Sequence, residues 1–197
     1  MAPQISPLVI LFASVFTGNI LLTNFLGMCS FISISKDMKS SNGLGLAVTV
    51  VLTITAAFNW AVMRYILVPL DLMVYRYIIF IVIIAATVQM LEMIIDRVSP
   101  ALYMSLGIFL PLITVNCAIL GVALFMQIRN YDFIQTVTFG LGSGLGWWLA
   151  ILALAAIQKK LARAPVPAGL KGPGITLITI GFMALAFVGF SGMLNVQ

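Results

Sequence analysis

Residues 20–36 read ILLTNFLGMCSFISISK, and residues 106–118 read LGIFLPLITVNCA. Each is an apolar stretch interrupted in its middle. In the first, Thr23, Asn24 and Gly27 precede Cys29; in the second, Pro111, Thr114 and Asn116 precede Cys117. They lie in charge-free runs of 35 and 31 residues, well beyond the roughly 20 that one membrane crossing takes. A long apolar run broken by Gly, Pro and Asn predicts a discontinuous helix, whose freed backbone groups need protein or water partners. Gly27 and Pro111 are the breaking residues here, and Asn24 and Asn116 are local partners for the broken ends.

The rest of the 197-residue chain supports a lipid setting. It is 62% hydrophobic and only 8% charged, whereas a soluble domain carries about 25% charged residues. The charge-free runs are 1–35, 40–63, 77–91, 98–128, 133–158 and 172–197. The third holds 15 residues and reaches spanning length only by taking in Glu92, as 77–95. Six transmembrane helices in an all-α integral membrane protein follow, with helices 1 and 4 discontinuous. A membrane barrel is disfavoured, because its strands alternate apolar and polar residues, while residues 77–87 (YIIFIVIIAAT) are apolar on every face.

Charge orients the helices. The loops after helices 1, 3 and 5 hold Lys36, Lys39, Arg97, Lys159, Lys160, Arg163 and Lys171, and the opposite side holds only Arg64, Arg76 and Arg129. The positive-inside rule makes the richer side cytoplasmic and puts both termini outside. The net charge of +5 then needs no nucleic acid to explain it. No basic residue precedes Lys36, so no cleaved signal segment is expected.

The two cysteines stand 88 residues apart, close to half the chain length, each in the first helix of a three-helix half. Three helices per half place the halves in opposite orientations. The expectation is one membrane domain, 1–197, built of two inverted repeats, 1–98 and 99–197. Paired interrupted segments in such repeats point to a site near the bilayer midplane. Cys29 and Cys117 would then approach each other at the two breaks. A lone membrane cysteine is commonly a small hydrophobe, and that reading stands beside the functional one. Histidine is absent, which excludes bis-histidine haem, His-ligated zinc and Ser-His-Asp catalysis. If the pair binds metal, it supplies two ligands and a second protein the rest; thiolates select zinc, Cu(I) or iron–sulfur.

Residues 24–36 and 106–118, together with 88–93 (VQMLEM) and 181–192 (GFMALAFVGFSG), closely resemble two related membrane proteins, the A-type subunit of the Rnf complex and the E-type subunit of the Nqr complex. The resemblance covers essentially the whole chain. It implies a subunit, not catalytic alone, of a redox-driven Na+ or H+ pump in the bacterial cytoplasmic (inner) membrane. Rnf exchanges electrons between ferredoxin and NAD, and Nqr passes them from NADH to quinone. The resemblance further implies an intramembrane 2Fe-2S cluster. Cys29 and Cys117 would hold half of it, and a homologous, oppositely oriented membrane subunit (Rnf E or Nqr D) the other half. The short loop with Arg64 to Asp71 (RYILVPLD) and residues 99–103 (SPALY) look like Rnf A. Residues 27–30 (GMCS) and 142–147 (GSGLGW) look like Nqr E. The balance favours Rnf A, with Nqr E as the alternative. A secondary transporter, or a structural anchor without a cofactor, is the rival from another class.

Three further features carry weaker signals. Residues 140–146 (GLGSGLG) fail the dinucleotide spacing, since positions 145 and 147 are Leu and Trp, and no strand precedes them. They do form two interleaved GxxxG pairs, Gly140/Gly144 and Gly142/Gly146, which predict close helix packing. Glu92, about one turn from Asp96, is either an interfacial packing acid or a coupling-ion contact, since acids inside membranes are costly. The loop 158–174, with four cations and three prolines, reads as a topology signal and stiff turn, and secondarily as a dock for cytoplasmic subunits or lipid headgroups.

Overall fold

The computed structural model describes residues 6–71, 73–98 and 113–189. Among them every regular element is helical and no strand occurs. Pro111, residues 99–110 and the end of the 181–192 motif lie outside the described residues.

The first apolar run is broken twice, once more than the sequence reading expects. Helix α1 (Pro7–Val15) starts with proline in its first turn, where a missing N–H costs nothing. Gly18 and Asn19 end this segment, and α2 (Ile20–Asn24) restarts with Asn19 as its cap. The Asn19 carbonyl oxygen accepts from the Leu21 and Leu22 N–H groups at 3.1 and 3.4 Å. Its amide donates to the Gly146 carbonyl at 2.9 Å, tying the break to another helix. The second break falls at Phe25–Gly27, where Phe25 (φ 54°) and Gly27 (φ 88°) are both left-handed. Helix α3 (Met28–Ile34) follows.

Helix α4 (Met38–Val62) is capped by Asp37, which accepts from the Ser40 N–H at 3.0 Å. It runs on through a wider π-helical turn, Met63–Leu67. Helix α5 (Arg76–Val98) carries Glu92 inside it. Helix α6 (Cys117–Ile128) is capped by Asn116. Helix α7 (Phe133–Leu161) opens with a capping box formed by Asp132 and Gln135, and α8 (Pro173–Val188) again has proline in its first turn.

Among the described residues, three segments are long and apolar enough to cross a membrane: Met38–Leu67, Met73–Ile94 and Phe133–Leu161. Cys117–Ile128 and Pro173–Val188 are apolar but shorter. Hydroxyls inside the helices bond back to the carbonyl four residues earlier. Ser14 donates to Ile10 at 2.6 Å, Thr49 to Gly45 at 2.8 Å and Thr55 to Val51 at 2.7 Å, which satisfies each hydroxyl within its own helix.

Helix α7 is the centre of the bundle and packs most extensively on α4, then on α1. The glycine stripe explains this. A Cβ at Gly140 would stand 3.1 Å from the Leu52 carbonyl oxygen, and one at Gly144 2.6 Å from Thr49 Cα, both on α4. A Cβ at Gly142 would meet Ser14 at 2.9 Å, and one at Gly146 the Val15 oxygen at 3.0 Å, both beside α1. The two interleaved pairs therefore serve two neighbours, one on each face. In lipid, where apolar burial between helices gains little, such backbone approach is what holds helices together.

Candidate functional site

The second break of the first run and the start of α6 meet. The Gly27 N–H donates to the sulfur of Cys117 at 3.0 Å. Gly27 lies two positions before Cys29, so the two cysteine segments converge although 90 positions separate the bonded residues. Both cysteines are free and exposed. Cys117 is the first residue of α6, and Cys29 is the second of α3.

Asn116 braces this meeting. Its carbonyl oxygen accepts the Ala118 N–H at 3.0 Å, capping α6. Its amide donates to the Ser30 hydroxyl at 3.2 Å, and that hydroxyl donates to the Gly27 carbonyl at 3.1 Å. A closed route thus runs from α6 through Ser30 back to the break. Ser30 is fully buried and Asn116 nearly so. Behind them Trp147 of α7 is fully buried, edge-on to Phe31 at 6.3 Å between ring centres. Its indole N–H finds no acceptor among the described residues.

Gly27 has no room for a side chain. A Cβ there would come within 2.7 Å of the Trp147 indole nitrogen, 3.1 Å of the Asn116 carbonyl oxygen and 3.3 Å of the Ala118 methyl. Its positive φ is also costly for a residue with a Cβ.

Asn24 and Glu92, also singled out from sequence, make no hydrogen bond to this cluster among the described residues. Asn24 is the exposed last residue of α2. Asn19 does the capping there, and the sequence carries a signal for it: a polar side chain after glycine and directly before an apolar run. Glu92 is half-buried on α5. Ser30 and Trp147 fall within the 27–30 and 142–147 motifs, but sequence alone assigns neither a role at this site; only the meeting of the breaks does.

Among the described residues no group of three or more His, Cys, Asp or Glu side chains could hold a metal ion. What exists is a pair of exposed thiols, one already accepting a backbone N–H. Phe25 and Val115, near the two cysteines in sequence, are 51% and 74% exposed.

Comparison with known proteins finds relatives over nearly the whole chain. The family described as "Rnf-Nqr subunit, membrane protein" matches residues 8–194. The E subunit of the Na+-translocating NADH-quinone reductase of Proteus mirabilis (strain HI4320) is 51% identical over 186 residues, covering 91% of this chain and 94% of that one. The protein of the same name from Histophilus somni (strain 129Pt) is 54% identical over 186 residues, with the same coverage. A match of this extent, over nearly the whole chain, establishes that the chain belongs to the Rnf-Nqr family of membrane subunits.

Proposed function

We propose that this chain is the E-type subunit of a sodium-translocating NADH–quinone reductase, and that it contributes Cys29 and Cys117 as half the ligands of a 2Fe-2S cluster within the membrane. The relatives quoted above carry that complex's name. Their identity over nearly the whole chain outweighs the short motifs that favour Rnf A. The chain then crosses the membrane six times as two inverted repeats, with both termini outside. The other two thiolates come from a homologous, oppositely oriented membrane protein of the same complex.

The observation that carries the reading is the hydrogen bond from the Gly27 N–H to the Cys117 sulfur. It brings both cysteine segments to one place and supplies the kind of N–H···S contact that tunes cluster potentials. The donor set fits as well: two free, exposed thiols match half of the usual four-cysteine ligation. The cluster, when bound, supplies one-electron transfer. This chain's residues supply thiolate ligands, an N–H donor to one of them and a break that sets their position. In a low-dielectric surrounding a one-electron change of charge is energetically large, which gives a physical reason for redox state to bias the broken helices.

The test is replacement of Cys29 or Cys117 by Ala in the purified complex, read by EPR. Either replacement should abolish the 2Fe-2S signal assigned to this site. A signal surviving both overturns the reading. Sodium pumping retained in both variants would indicate a structural anchor, and solute transport without redox substrates a secondary transporter.

A further inference from the structure

Two adjoining grooves open at the end of the bundle where α3 and α7 finish and α8 begins. The first, of about 410 Å³, is lined by Lys36, Lys159 and Arg163. The second, of about 490 Å³, is lined by Lys36 and Lys171. They share Lys36, Gln158 and Ala162. Cations from three separate stretches of sequence are therefore gathered on one shared edge.

The gathering is held by specific contacts. The Gln158 amide donates to the Ser35 hydroxyl at 2.9 Å and to the Thr176 hydroxyl at 3.3 Å, joining α3, α7 and α8. Among the described residues, Asp37 is the only carboxylate lining either groove. It is already engaged by the Ser40 N–H and hydroxyl at 3.0 and 2.8 Å. Like charges held together in this way repel one another unless an anion lies between them.

The second groove is not only basic. Ile32, Leu161, Val166 and Ile175 also line it. Ile178, one turn further along α8, is 42% exposed, so apolar surface continues from the groove along the helix. The cations stand at the end of the spanning segment Phe133–Leu161, where a span of that length meets the headgroup region. We propose that these grooves bind one anionic phospholipid, its phosphate among Lys36, Arg163 and Lys171 and an acyl chain along α8. Charge complementarity together with the apolar wall favours a lipid over an acidic protein segment, which would need no such wall. This inference does not depend on the cluster.

The test uses the full chain in detergent and native mass spectrometry with phosphatidylglycerol or phosphatidylcholine added. Two variants carry the same change of charge. Lys36→Gln with Lys171→Gln alters the grooves, whereas Lys39→Gln with Lys160→Gln alters cations that line neither groove. Wild type should retain one phosphatidylglycerol in preference to phosphatidylcholine. At roughly 1 kcal/mol per basic residue, the groove variant should lose at least about tenfold in phosphatidylglycerol affinity, and the control pair should stay within about twofold of wild type. Equal losses in both pairs would mean a diffuse surface potential and overturn the proposal. So would indifference to headgroup, displacement by millimolar inorganic phosphate, or unchanged lipid binding in a groove variant that instead loses its protein partners on purification of the complex. Circular dichroism of each variant separates loss of the site from loss of the fold.

Discussion

The Gly27 backbone N–H and the Cys117 sulfur, 3.0 Å apart, join two chain segments at the point where helices begin anew. The bond exists because Phe25 and Gly27 turn the chain into left-handed conformations, which frees an N–H that an unbroken helix would have consumed. Gly27→Ala therefore meets two obstacles, the positive φ and a Cβ 2.7 Å from the Trp147 indole nitrogen. We expect it to destabilise the chain by about 1–3 kcal/mol, measured by thermal unfolding in detergent. In the assembled complex it should also shift the potential of any cluster bound at Cys117, because hydrogen bonds to cluster sulfurs help set that potential. An unchanged melting temperature together with an unchanged potential would remove Gly27 from its positioning role.

Much of this site is legible without the structure. The breaks before Cys29 and Cys117 can be read from run length and from Gly, Pro and Asn inside apolar sequence. The glycine stripe can be read from spacing. The extra break at Gly18-Asn19 escapes such a reading, because one polar residue among apolar ones weighs little against a long hydropathy average. The site roles of Ser30 and Trp147 are invisible for a different reason. A buried serine or tryptophan has no periodicity of its own, and its role appears only when two distant breaks meet. The preference for Rnf A rests on motifs a few residues long, which identity over 186 residues outweighs.

Asn116 does two things at once, and the variants should separate them. Asn116→Ala removes the α6 cap on the Ala118 N–H and the link to Ser30. Ser30→Ala removes only the link and the bond to the Gly27 carbonyl. Loss of an asparagine cap costs about 1 kcal/mol and loss of the Ser30 bond to the Gly27 carbonyl about as much, so the two single variants should be destabilised to a similar extent. The double variant should fall short of the sum, because the residues share one contact. Strict additivity in thermal unfolding would show that the link carries no energy.

Acid should act on Asp37. The Ser40 backbone N–H, and then the Ser40 hydroxyl, hold its carboxyl below the ordinary value of 3.8. A depressed carboxylate contributes stability that is fully present above the unfolded-state value and is lost as pH falls through the folded-state value. Asp37→Asn should therefore flatten the dependence of stability on pH below about 4, and leave the shape of the profile from neutral pH down to about 5 unchanged. Melting curves across that range check the sign. A variant profile as steep as wild type in the acid limb would show that Asp37 takes no part in it.

The glycines of α7 and α8 should respond in opposite ways to the same substitution. Gly144 lies against Thr49, and a methyl there has a backbone atom of α4 only 2.6 Å away. Neither helix can yield locally, so α4 and α7 must separate and give up the contact that holds them in lipid. Gly181 of α8 has nothing within 4 Å of the same methyl. There alanine only improves helix propensity, by about 0.8–1 kcal/mol. We expect Gly144→Ala to lower the melting temperature of the detergent-solubilised chain and Gly181→Ala to leave it equal or raised. Gly140→Ala, 3.1 Å from the Leu52 oxygen, should fall between them. An ordering in which Gly181→Ala is as harmful as Gly144→Ala would mean that helix approach is not what the stripe provides. Gly181 would then have to face a neighbour, such as another protein of the complex, that needs its missing side chain.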